Sequence, residues 1–293
     1  MKPFHKKRSS SKIINIITAP FRFLALVYKI LSKLASTLCK SLKDFFTKEP
    51  ENTSLDKVLN TAWESPQELL IHVKALRKHL LRALIVLILG VILSLAFSKQ
   101  FLNWLTAPIG GIELLEAIEV TEPMTVVMRV AFLTGFTLTL PYTTLEIWLF
   151  LAPGLKTRPR LWGLGFIPLA TLLFAGGMAF AYYVMLPTAL PVLLNFMGLK
   201  TTPRPDSYIR FVTGLMFWIG ITFEFPLVIF VIAKLGWVKA KTLASQWRIA
   251  IVIISVIAAI ITPTVDPINM LLVMVPMIAL YLFSTLLAYL AQS

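Results

Sequence analysis

Charge is missing from long, recurring stretches of this chain. No Asp, Glu, Lys or Arg falls between Arg82 and Lys99, between Arg129 and Glu146, or between Arg160 and Lys200. Arg210 to Lys234 encloses only Glu224, Arg248 to Asp266 encloses nothing charged, and the chain is uncharged from Asp266 to Ser293. An α-helix rises 1.5 Å per residue, so about 20 apolar residues cross the hydrocarbon core of a bilayer. In that core every backbone polar group must be satisfied within its own segment, which selects helices here. The pattern predicts an all-α integral membrane protein with six spans, at about 81–97, 124–151, 161–187, 209–233, 247–262 and 268–290. Composition agrees. The chain is 57% hydrophobic and 14% charged, against about 45–50% and about 25% in soluble domains. Its one cysteine, Cys39, closes no intrachain disulfide.

The net charge of +14 fixes an orientation. The third gap is long enough for one helix and a loop, or for two short helices turning at Gly176-Gly177. Pro187 and Pro191 favour ending a single helix there, and the glycine pair then reads as a close-packing face. With six spans and an internal N-terminus, 23 Lys/Arg fall on the cytoplasmic side and four (Lys99, Lys200, Arg204 and Arg210) on the other. Splitting the third gap would move the 234–248 cluster outside, against the positive-inside rule. Both termini are expected in the cytoplasm.

Residues 1–62 form a separate region ahead of the membrane domain at 63–293. Residues 1–43 hold ten basic residues and no acid. On a helical wheel Arg22, Lys29, Lys33, Lys40 and Lys43 gather on one side, while Leu24, Val27, Leu31, Leu34, Leu38, Leu42 and Phe45 face away. A cationic amphipathic helix over about 17–46 is expected, lying on anionic lipid of the inner leaflet and followed by a polar linker. A transit peptide is the rival reading, although lysine outnumbers arginine eight to two. Nucleic acid is not expected as a partner, since no recognisable module accompanies the lysines.

Few polar groups interrupt the spans. Glu224, in Gly220-Ile-Thr-Phe223-Glu224-Phe-Pro226, sits mid-span, where an ionised carboxylate is costly. Pro226 removes a backbone donor and should kink the helix there. The carboxyl is either a structural acid inside the bundle or a contact for a polar group on a partner helix; intramembrane acids favour the second. Arg129 and Glu146 lie too far apart on one helix to pair, and each can snorkel to its nearer interface. Further prolines at Pro141, Pro168 and Pro276 suggest a curved wall. His72 and His79 share a helix face, which reads as interfacial packing or, less simply, as a pH sensor. No phosphate loop, His-Glu-x-x-His or cysteine cluster is present, so neither an enzyme, a cofactor nor a metal site is expected.

From about Glu68 onward the pattern resembles the TatC family, the multispanning receptor subunit of twin-arginine protein translocases. His72-Val-Lys-Ala-Leu-Arg77-Lys-His-Leu80 is similar to the family's His-Leu-x-Glu-Leu-Arg-x-Arg-Leu. Phe150-Leu-Ala-Pro153-Gly-Leu155 resembles its Phe-x-x-Pro-Gly-Leu. Gly177-Met-Ala-Phe-Ala-Tyr-Tyr183, Phe223-Glu224-Phe-Pro226 and Ile261-Thr-Pro263 match further stretches in the right order. The resemblance implies a concave six-helix wall in the prokaryotic cytoplasmic membrane, or in a thylakoid or other organellar membrane. It implies binding of twin-arginine signal peptides of folded cargo, assembly with TatA/TatB-type single-span partners, and use of the proton-motive force; homo-oligomerisation stays open. By the same resemblance Arg77, Phe150 and Pro153 edge the signal-binding surface, and Glu224, with Phe223 and Pro226, meets a partner helix.

Two departures matter. A guanidinium fork pairs bidentately with carboxylate, yet the family's two cytoplasmic glutamates are replaced by Ala75 and Pro159, the latter in a loop carrying Lys156, Arg158 and Arg160. Glu146, assisted by Glu68 seven residues before Ala75, is the expected substitute pair. The alternatives are a divergent paralogue without signal recognition, and a proton-linked small-solute transporter built on Glu224.

Overall fold

The structure, a computed structural model, describes residues 66–151, 163–195, 203–234, 236–262 and 267–292, plus five positions between 29 and 37; side chains of 66–72, 163, 268 and 269 are outside this description. The expected basic helix over 17–46 therefore lies outside it except at those five positions, which are helical. The 47–62 linker, Pro153, Pro159 and the basic loop around them also fall outside the described residues.

Most of the described residues are helical, and none of them lies in a strand. In order run α1 (Pro66–Leu95), α2 (Ser98–Thr106), α3 (Glu122–Leu151), α4 (Phe166–Phe180), α5 (Leu186–Leu194), α6 (Pro205–Phe223), α7 (Phe225–Lys234), α8 (Ala240–Ser245), α9 (Trp247–Ile261) and α10 (Pro267–Gln292). Five stretches are long and apolar enough to cross a membrane: 73–95, 122–151, 166–194, 205–234 and 270–292. The expected fifth span is instead a shorter apolar helix, α9, of 15 residues.

Helix α3 is the central post. It packs on α1, α4 and α6, while α7 and α9 pack on α10. Lipid tails offer little hydrophobic drive for helix association, so close contact depends on small residues. At the α1–α3 crossing Gly90 meets Gly135: a Cβ on Gly135 would lie 2.7 Å from the backbone of Val91. At the α4–α6 crossing Gly177 meets Gly220, and a Cβ on Gly177 would lie 2.9 Å from the Gly220 Cα. Of the expected glycine pair, only Gly177 forms the packing face; Gly176 looks into open space.

The third span is a single helix, but Pro187 does not end it. A π-helical turn over Ala181–Met185 joins α4 to α5, and Pro187 stands in the first turn of α5. The π turn accommodates it: the Leu186 N–H bonds back five residues to the Ala181 carbonyl, and this wider register meets a proline that has no N–H to give. The core fills around that turn with Met185 and Leu186, met by Val130 of α3 and by Ile209, Val212 and Ile219 of α6. Two tyrosines fasten α2 across this end of the bundle. Tyr182 donates to the Trp104 carbonyl at 2.6 Å, and Tyr208 to that of Leu105 at 2.8 Å.

Helix α7 ends on a left-handed residue, Gly236, at φ 79°. The Trp237 N–H then reaches back to the Ile232 carbonyl and the Gly236 N–H to that of Ala233, capping the last turn. Gln292 of α10 spans the same turn, accepting from the Ala240 N–H and donating to the Val238 carbonyl.

Candidate functional site

Polar side chains collect at three places: the last turns of α3, the junction of α6 and α7, and the opposite end, where α3 and α6 begin.

At the first, Tyr142 and Glu146 are four residues apart on α3, and His79 and Arg82 three apart on α1, so each pair lies on one helix face. The two faces meet. His79 Nδ1 is 2.6 Å from Glu146 Oε2, and the Tyr142 hydroxyl donates to Glu146 Oε1 at 2.6 Å. Arg82 Nη1 stands 3.8 Å from Oε2. Glu146 is 1% exposed, so the expected snorkelling to headgroups does not occur: its carboxylate is turned inward and shared by three neighbours. Phe150, half-buried, has its ring 6.2 Å from that of His79. Arg77 is exposed on α1, away from the cluster. Helix α1 runs unbroken from Pro66 to Leu95, and the side chain of Glu68 lies outside the described residues.

At the second place, the expected kink is a one-residue interruption of the helix, with Glu224 still in the right-handed region at φ −72° and ψ −19°. Helix α6 stops at Phe223 and α7 starts at Phe225, with Glu224 between. Pro226 has no N–H to give the Thr222 carbonyl, and its ring crowds that position. The Glu224 N–H bonds instead to the Ile221 carbonyl at 3.0 Å. Glu224 is half-buried, and its Oε1 is buried without a hydrogen-bond partner among the described residues. Of the flanking residues Phe225 is exposed, while Phe223 and Pro226 pack into the bundle. Pro226 is fully buried, and the Phe223 ring packs 5.8 Å from that of Phe180, against Gly177. They shape the break and leave Glu224 as its polar group.

The third place escaped the sequence reading. Arg129 does not snorkel away; it donates across to Asp206 of α6 at 3.3 Å, and Arg210 reaches the other oxygen of Asp206 at 2.7 Å. Arg204 donates to both Glu122 and Glu119. Those bonds, Glu122 first, hold its guanidinium more firmly protonated than usual. The signal in the sequence is positional: all six charges lie near the starts of α3 and α6.

This arrangement defines a multispanning α-helical membrane protein whose polar groups serve helix pairing and helix breaking, with no cluster of metal-ligating residues among those described. The chain belongs to the TatC family. The family model for the Sec-independent protein translocase protein TatC matches residues 71–276. A relative of that name from Deinococcus radiodurans is 34% identical over 241 residues, covering 79% of this chain and 88% of the relative. Another from Carboxydothermus hydrogenoformans is 32% identical over 228 residues, covering 77% and 94%. A crystal structure of the twin-arginine translocase receptor TatC superposes with a TM-score of 0.67 at 32% identity, over 76% of this chain and all of that one. The protein is thus a TatC-type component of protein translocation and an integral protein of the prokaryotic cytoplasmic membrane.

Proposed function

We propose that the chain is a translocase receptor that binds twin-arginine signal peptides of folded cargo at one end and a TatA/TatB-type partner helix at the α6–α7 break. The observation carrying the reading is the unpartnered Glu224 Oε1. An acid within a span is costly unless something pairs with it, and a polar group on a neighbouring single-span helix supplies that partner from outside the chain. Energy for transport comes from the proton-motive force, as the family resemblance implies.

In this reading α9 is the sixth crossing. Its 15 residues extend about 22 Å, short of the usual core, so the bilayer thins around it. The excess of Lys/Arg at one set of ends then puts both termini in the cytoplasm, with the kinked helices curving into a concave wall. The basic N-terminal segment rests on anionic lipid.

Signal recognition falls at the cytoplasmic end of α3. Arg77, Phe150 and Pro153 border the surface, and Glu146 with Glu68 supplies the carboxylates that Ala75 and Pro159 lack. Since Glu146 already holds His79 and Tyr142 at 2.6 Å, an incoming guanidinium takes the place beside Oε2 that Arg82 approaches at 3.8 Å. A photoreactive residue at position 150, with a twin-arginine peptide added to membranes, tests this. Crosslinking that is lost on Glu146→Gln supports the assignment, and undiminished crosslinking overturns it. For Glu224, disulfide or photocrosslinks from position 225 to a partner helix should disappear with Glu224→Leu. Solute uptake into liposomes that depends on Glu224 would favour a transporter instead.

A further inference from the structure

The end of the bundle where α3 and α6 begin encloses a cavity of about 1230 Å3, and its charges are not evenly mixed. Asp206 is shared by Arg129 and Arg210, so that half carries one positive charge in excess among the described residues. Arg204 is shared by Glu119 and Glu122, so the other half carries one negative charge in excess. Glu122 is only 3% exposed, and its Oε2 has no hydrogen-bond partner there. The cavity is polarised across its mouth.

One to two turns deeper the wall becomes apolar. Phe132 on α3, Phe217 and Trp218 on α6, and Ile260 at the end of α9 line it. Phe132, Trp218 and Ile260 are all exposed, so this wall opens sideways to the hydrocarbon that surrounds the spans. Charges at the level where spans begin, above an apolar slot entered from the side, match an amphiphile standing in the bilayer rather than a solute arriving from water.

We propose that this cavity binds one phospholipid with a zwitterionic phosphate–primary amine headgroup. Its phosphate sits on the Arg129–Asp206–Arg210 half, where guanidinium groups provide planar, bidentate donors. Its ammonium sits on the Glu119–Arg204–Glu122 half, donating to carboxylate. One acyl chain lies along Phe132, Phe217 and Ile260. Selectivity resides in the headgroup, because an acyl chain gains little by leaving other acyl chains for an apolar wall. A choline headgroup has the same charges but no N–H to donate, and a glycerol headgroup brings no cation to the negative half. This proposal stands independently of signal-peptide recognition.

Native mass spectrometry of the full chain in mild detergent, with dioleoyl phosphatidylethanolamine, phosphatidylcholine and phosphatidylglycerol at equal concentration, tests it. One phosphatidylethanolamine should be retained per chain, with a preference over phosphatidylcholine of about tenfold, the equivalent of one charge-assisted hydrogen bond. Glu122→Gln should erase that preference and leave phosphatidylglycerol retention unchanged. Arg210→Gln should weaken all three lipids. Should Glu122→Gln fail to fold, Glu119→Gln replaces it, since Glu119 is 65% exposed and tolerates change; it should reduce the preference by itself. Equal retention of the three lipids, retention of none, a preference that Glu119→Gln does not reduce, or retention that Arg210→Gln leaves unchanged would overturn the proposal.

Discussion

Two glutamates inside the bundle meet opposite fates. Glu146 lies near the end of α3, and the helix packed against it brings His79 and Arg82 to its carboxylate while its own helix brings Tyr142. Glu224 lies at a helix break, and one of its oxygens has no such partner among the described residues. Both are acids within apolar spans. What separates them is the sequence of the neighbouring helix, which in one case supplies donors and in the other leaves the acid for something outside. Internal partners tie the Glu146 carboxylate into the fold before any incoming guanidinium joins it, whereas the Glu224 oxygen that lacks one among the described residues has only something outside to meet.

Mutations should separate the two. The largest effect is expected from Glu146→Leu, which strips the shared acceptor and leaves Arg82, His79 and Tyr142 facing an apolar side chain. Removing one member of a buried charged pair costs about 3–5 kcal/mol, so thermal unfolding in detergent should fall sharply, with little folded protein recovered. Tyr142→Phe deletes one hydrogen bond and keeps the ring; it should cost about 1.5–3 kcal/mol, the range for a hydrogen bond to a charged group. A loss as large as that of Glu146→Leu would show that Tyr142, rather than α1, organises the cluster.

At the break the expected changes in stability are small. Pro226→Ala restores the N–H that the Thr222 carbonyl lacks, worth about 1 kcal/mol, and loses ring contacts of similar size. Net stability should shift by less than about 1 kcal/mol, while hydrogen exchange of the amides at 223–227 slows as the helix closes. Glu224→Leu should leave the unfolding midpoint of the isolated chain almost unmoved, within about 0.5 kcal/mol, and still abolish crosslinking to a partner helix. A clear destabilisation by Glu224→Leu would break the contrast, because it would mean that Glu224 also has an internal partner.

Much of the fold was legible beforehand because hydrocarbon excludes charge. The observed helices 122–151, 205–234 and 267–292 lie within four residues of the expected spans 124–151, 209–233 and 268–290. A kink near Glu224 was legible too, from Pro226 two residues on, and the helix is interrupted there. Pro187 misled, since a proline's effect depends on the turn before it, and the π turn at Ala181–Met185 admitted it at a helix start. The sites were harder. Glu224 could be singled out as an acid in an apolar run, but the partners of Glu146 lie 64 and 67 residues back in the chain, and Asp206 lies 77 residues beyond Arg129. No local pattern announces such pairs.

From the sequence alone come the membrane as solvent, the positions of the helices and a kink expected beside Pro226. Each follows from local energetics: the cost of charge in oil, and the missing N–H of proline. Only the packed bundle decides which acid is sealed and which is left open, and how the charges at the far end divide into a positive and a negative half. Those outcomes depend on which helix faces cross at Gly90–Gly135 and Gly177–Gly220, and short-range contacts of that kind exist only once the chain has folded.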